Sequence, residues 1–167
     1  MYKAGSYVVY GVNGVCKVEG TTAFCAPGSE EEKEYYVLEP LGKNGGTVYV
    51  PLSGNKITLR PVMTEEEALA LIKSIPELEP LDISNDKHRE EEYKRAMTTC
   101  DSVQWVRIIR TLYDRKEERI GQGKQVTAMD TRYWKAAEHY LYSELAIALS
   151  KEEEEIEDFI TEAIQKA

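Results

Sequence analysis

Arg60-Pro61-Val62-Met63-Thr64-Glu65-Glu66-Glu67-Ala68-Leu69 is where the chain changes from one kind of sequence to another. Thr64 stands three residues before Glu67, the spacing of a capping box, in which each end of the motif satisfies a free backbone N–H of the other. Ala68, Leu69, Leu71 and Ile72 follow on one helical face, and Pro76 ends the helix. Upstream of Arg60 there is no such period. Residues 1–63 are rich in Gly, Val, Tyr and Pro, and their apolar residues come in short runs between turn signals. Tyr7–Tyr10, Val15–Val18, Glu34–Glu39, Thr47–Pro51 and Ile57–Pro61 read as five strands. Asn13-Gly14 and Gly42-Lys43-Asn44-Gly45-Gly46 read as turns, and Ala26–Glu32 as a hairpin loop. Five short strands in about 60 residues imply a small, strongly bent barrel.

Downstream the pattern stays helical. Residues 76–85 hold two prolines and no period, so they read as a linker. Asp86–Met97 reads as a charged, exposed helix with Tyr93 and Met97 on one face. Asp101 or Ser102 caps the next helix, where Val106, Ile109, Leu112 and Tyr113 recur at helical spacing, and Gly121-Gln122-Gly123 breaks it. Thr127 with Asp130 caps another, with Trp134, Ala137, Leu141, Leu145 and Ala148 as its buried stripe. Ser150 with Glu153 opens a last acidic helix carrying Ile156, Phe159, Ile160 and Ile164. The fold class is therefore α+β: a small, strongly bent β-barrel over residues 1–62, then a compact all-helical domain over residues 64–167.

Composition narrows the function. Of 167 residues, 42% are hydrophobic and 31% charged, an ordinary globular balance, and the net charge is −9. No apolar run approaches the roughly 20 residues of a membrane span, and the first residues enter a strand pattern directly, so no signal peptide and no membrane partner are expected. Cys16, Cys25 and Cys100 are odd in number and widely spaced, which points to a reducing cytoplasm. There is no CxxC, HExxH, GxSxG or P-loop motif, and His88 and His139 lie far apart, so no metal, cofactor or catalytic site is expected. Cys16 sits in a strand signal and reads as core. Cys100 has no evident base. The residues favour binding over catalysis.

The charge is segregated. Residues 86–135 carry twelve basic and nine acidic groups, net +3, whereas residues 136–167 carry two basic and nine acidic, net −7. The middle helices could face phosphates. They could equally be the solvated faces of a bundle, and the mixed run Arg115-Lys116-Glu117-Glu118 favours that reading.

Tyr35-Tyr36-Val37-Leu38-Glu39-Pro40-Leu41, followed by Gly46-Thr47-Val48-Tyr49-Val50-Pro51, closely resembles the CarD/CdnL family of bacterial transcription regulators. The same module resembles the polymerase-interacting domain of transcription-repair coupling factor. Tyr2–Tyr10 with Gly14-Val15, Arg60–Met63 leading into Glu65–Leu69, Arg107–Tyr113, Thr127 and Glu144-Leu145-Ala146 extend the resemblance over residues 2–150. It implies a non-enzymatic regulator whose small SH3/Tudor-like β-barrel binds the RNA polymerase β subunit and whose helical domain contacts promoter DNA upstream of the melted bubble, acting on open-complex stability.

An edge strand can add a partner strand by backbone hydrogen bonding, and Thr47, Val48, Tyr49, Val50 and Pro51 are placed there as the polymerase contact. Lys87, Arg89, Lys94 and Arg95, then Arg110 and Lys124, are the expected phosphate contacts; such contacts position without specifying sequence. DNA binding by the isolated acidic chain is expected to be weak, so that tethering on polymerase is needed. Family members place a tryptophan wedge at the start of the first DNA-facing helix, but residues 81–89 here contain no aromatic. That absence and the acidic C-terminal helix keep a second reading open, a protein–protein adaptor without DNA contact.

Overall fold

The computed structural model describes residues 2–42, 46–53 and 59–165, with every side chain among them except those of Val12, Ile164 and Gln165. Lys43–Gly45 of the expected turn, Ile57 and Thr58 of the expected fifth strand, and the Ile164 side chain lie outside the described residues. The chain divides into two compact units, Met1–Val62 and Met63–Ala167.

The first unit is a five-stranded antiparallel sheet of Tudor-like type. Its strands are β1 (Tyr7–Tyr10), β2 (Gly14–Cys25), β3 (Glu32–Pro40), β4 (Val48–Pro51) and β5 (Leu59–Pro61), in the order β4-β3-β2-β1-β5. Alternation along the strands puts Val8, Tyr10, Cys16, Val18, Tyr36, Leu38 and Val50 in one buried cluster, with Tyr2, Val48, Leu52 and Leu59 packed on it. Cys16 is fully buried there as a small apolar residue.

The second strand is longer than the sequence reading, which stops it at Val18. It runs to Cys25 because a register shift between Val18 and Gly20 bends the strand without ending its pairing. Gly20 carries the bend at φ +153. Beyond the bulge, Thr21–Cys25 pair with Tyr36–Glu32, so β3 also begins earlier than the expected Glu34.

The second unit contains α1 (Glu65–Ser74), α2 (Arg89–Thr98), α3 (Ser102–Gly121), α4 (Ala128–Leu149) and α5 (Glu153–Gln165). The capping box at Thr64 is complete: the Glu67 N–H donates to Thr64 Oγ1 at 3.1 Å, and the Thr64 N–H donates to Glu67 Oε2 at 2.8 Å. Ala68, Leu71 and Ile72 are buried, while Leu69 faces outward. The irregular segment after α1 is held on α3: the Leu81 N–H donates to Thr111 Oγ1 at 2.8 Å, and Arg107 donates to the Glu79 carbonyl at 3.2 Å. Buried Glu144 on α4 accepts the Met63 N–H at 2.9 Å and so fixes the start of the unit.

The two expected stripes hold at Val106 and Leu112 and at Ala137, Leu141 and Leu145, and differ at their remaining positions. On α3 the buried residues are Trp105, Val106, Ile108, Thr111 and Leu112, while Tyr113 is 52% exposed. On α4, Tyr133 is buried beside Ala137, Leu141 and Leu145, whereas Trp134 and Ala148 are only partly covered. The reason is that Thr111, Asp130 and Glu144 are buried polar residues with partners, which draw the core faces towards themselves.

Ser150 corrects a further expectation. It does not open α5; it closes α4 in the left-handed conformation at φ 55, with its N–H directed to Ala146 and Ile147 carbonyls. The α5 start is instead fastened by Glu155, whose carboxylate accepts the Glu152 N–H at 3.1 Å. Glu153 meets His139 Nδ1 at 3.2 Å. Ile156 is fully buried, and Phe159 and Ile160 are partly covered.

Candidate polymerase and nucleic-acid interfaces

In the first unit, β4 pairs with β3 and with no other described strand, so it forms one edge of the sheet. Thr47 lies just before it. Val48 and Val50 turn into the core, and Tyr49 turns out with 49% of its surface exposed. The Tyr49 ring meets Phe24 edge-on at 5.4 Å, and Phe24 stacks on Tyr35 at 4.3 Å. The extension of β2 past the bulge thus supplies an aromatic floor under Tyr49 that the sequence reading missed; Phe24 at alternate spacing from Thr22 was its signal. Pro51, paired opposite Tyr35, has no N–H to offer. What this edge can do chemically is accept an added strand over a short, defined length, with Tyr49 as a side-chain anchor.

In the second unit the cations expected to meet phosphate differ in their surroundings. Arg89 is turned inward, with its side chain only 14% exposed. Its Nε donates to Asp86 Oδ1 at 3.0 Å and its Nη1 to the Tyr93 hydroxyl at 2.9 Å. Lys94 lies 3.7 Å from Glu90, Arg95 lies 2.7 Å from Glu92, and Arg110 lies 3.6 Å from Asp114. Lys87 and Lys124 are exposed with no ion pair among the described residues. Lys87 sits in the 3-10 turn ahead of α2, and Lys124 follows the α3 C-terminus.

Arg89 belongs to a polar cluster that ties α2, α3 and α4 together. Asp130, 2% exposed, receives Arg115 Nε at 2.6 Å and the fully buried Tyr93 hydroxyl at 3.4 Å. Arg115 also reaches Asp86 at 3.3 Å. The hydrogen bond from Arg89, then the charges of Arg89 and Arg115, hold the Asp86 carboxyl below its ordinary range. Burial works against the Arg89 charge, but its bonds to Tyr93 and Asp86 outweigh that and raise it. Burial pushes the Tyr93 phenol up. Residues 81–89, which hold no aromatic, thus include Asp86, engaged in ion pairing with Arg89 and Arg115. Trp105 is core, and Trp134 lies at the surface with Lys116 over its ring at 5.7 Å.

Two family models match the chain: the CarD-like/TRCF RID domain over residues 2–63, and the CarD C-terminal domain over residues 67–161. The chain belongs to the CarD/CdnL family. Its two matched spans fall on the two compact units, the sheet and the helices respectively. Family membership makes it an RNA polymerase-associated transcription regulator. No curated protein matches the sequence. Among the described residues, no helix is long and apolar enough to cross a membrane.

Proposed function

We propose that this regulator docks on the RNA polymerase β subunit through residues 47–51 of its sheet and brings residues 64–167 against promoter DNA upstream of the bubble, modulating open-complex stability without enzymatic activity. The observation that carries the docking is the edge strand β4 with outward Tyr49 inside the segment that matches the RID domain. Backbone pairing supplies affinity, and the Tyr49 side chain supplies register.

Contact with DNA is a weaker, backbone-directed one. Lys87 and Lys124 are its first donors. Lys94, Arg95 and Arg110 contribute only as far as phosphate displaces the acids beside them, since each exposed pair holds its partner by about 1 kcal/mol or less. Arg89 serves instead to hold the α2 start in place. With no aromatic in residues 81–89 to act as a wedge, the contact positions the duplex and does not unstack it. Tethering through the sheet overcomes the repulsion that a net charge of −9 imposes.

The test is the lifetime of promoter complexes formed by bacterial RNA polymerase holoenzyme, with and without saturating full-length protein in the cytoplasmic salt range. A changed lifetime that depends on Tyr49 is expected. An unchanged lifetime would overturn the proposal. The adaptor reading draws on one observation, the neutralisation of α2 cations by Glu90 and Glu92. It predicts that joint alanine substitution of Lys87, Lys94, Arg95 and Lys124 leaves the lifetime unaltered while polymerase binding persists.

A further inference from the structure

We propose that the helical unit holds a binding site for a compact apolar carboxylic acid, a single ring or short branched chain ending in one carboxylate, where the end of α1 meets α3, α4 and α5. A pocket of about 190 Å³ opens there. Its walls are Ile75 after α1, Ile109 and Tyr113 on α3, Leu141 on α4 and Ile160 on α5. These residues come from four elements of one compact unit.

Size sets the ligand class. An apolar protein cavity of about 150 Å³ stays dry and takes up benzene, so this pocket accommodates one ring with a few further carbons. Charge sets the rest. Arg110 is the one ionised group among the lining residues, and its side chain is 45% exposed. It forms an exposed ion pair with Asp114 at 3.6 Å that is too long for a hydrogen bond, and no described hydrogen bond occupies the guanidinium, so a ligand carboxylate has only that loose pair to displace. A planar fork in that state matches a carboxylate bidentately. Tyr142 also lines the pocket. Burial, reinforced by Glu138 and Glu157, raises its phenol, which therefore remains a neutral donor. A ligand with an apolar body and one anionic end satisfies the walls and Arg110 together; a purely apolar one leaves Arg110 unused.

The test uses full-length protein with labelled Ile and Leu methyls, titrated with 3-phenylpropanoate and, separately, with its neutral amide. Saturable shifts at Ile75, Ile109, Leu141 and Ile160 are expected at about millimolar probe, the range for roughly ten heavy atoms. The acid should bind about tenfold tighter than the amide, the factor for one charge-assisted hydrogen bond. Arg110→Gln should erase that preference and leave amide binding unchanged, and Ile109→Trp should block both probes in a protein whose remaining spectrum is intact. No saturable shift overturns the proposal. So does equal affinity for acid and amide, or a preference that survives Arg110→Gln. Concentration-dependent shifts of the same methyls without probe overturn it too, since a second copy of the chain would then be the occupant.

Discussion

Truncating Asp130 to alanine leaves Arg115 facing a void and removes the acceptor of the buried Tyr93 hydroxyl. Breaking a fully buried pair costs about 3–5 kcal/mol, because the surviving charge is stranded. Arg115 is 18% exposed and keeps Asp86 at 3.3 Å, which relieves part of that cost. The expected loss is therefore about 2–4 kcal/mol for the helical unit. Both tryptophans, Trp105 and Trp134, lie in that unit, so their fluorescence in urea reports its unfolding without the sheet. With a urea slope of about 2 kcal/mol per molar, the midpoint should fall by about 1–2 M. Arg115→Met alone should cost at least as much, since it strands the more deeply buried Asp130 carboxylate. The double variant should cost less than the sum of the two by about 2 kcal/mol, because neither charge is then left alone. A midpoint shift below about 0.3 M for Asp130→Ala, or strict additivity in the double variant, would refute the claim that this cluster fastens α2, α3 and α4.

Three further outcomes follow from the same geometry. Trp105→Ala should destabilise the helical unit by about 3–5 kcal/mol, against about 1 kcal/mol or less for Trp134→Ala, in the same urea assay. In polymerase-tethered DNA binding, Lys87→Ala and Lys124→Ala should each reduce the slope of log K against log salt by about one, whereas Arg89→Ala should lower the urea midpoint instead. The Asp86 carboxyl is held low by Arg89, so its contribution is present above the ordinary aspartate value of 3.8 and fades as pH falls through the lower folded value. Thermal scans of wild type and Asp86→Asn should accordingly separate near neutral pH and converge once the pH has fallen through the lowered folded value.

What the sequence discloses is what is local. Thr64 and Glu67 are three residues apart, and their capping box forms because it needs nothing else. Asp101 and Thr127 cap α3 and α4 for the same reason. Ser150 shows the limit of local chemistry: the same hydroxyl residue suits an N-cap or a left-handed C-cap, and tertiary packing of α5 decides. The helix faces were misjudged where bulk was weighed over partnership. Trp134 is large but lies at the surface, while Asp130, one turn earlier, is buried because Arg115 is brought to it from α3. The edge strand is expected over Thr47–Pro51 and forms over Val48–Pro51, whereas the Phe24 support under Tyr49 depends on a bulge that carries β2 past Val18, where the sequence reading stops it. The cations were legible and their partners were not: Arg89 reads as an exposed phosphate contact until Asp86 and Tyr93 are seen around it.

The most direct test of the central claim is a binding titration of the full-length protein against a purified fragment of the bacterial RNA polymerase β subunit, with Tyr49→Glu beside it. Tyr49 is half exposed, so the variant should fold as wild type does. Saturable binding by wild type, weakened at least about tenfold in the variant, is the predicted result for an anchor residue at an edge-strand interface. Equal binding by both proteins, or no binding by wild type, would contradict docking through β4.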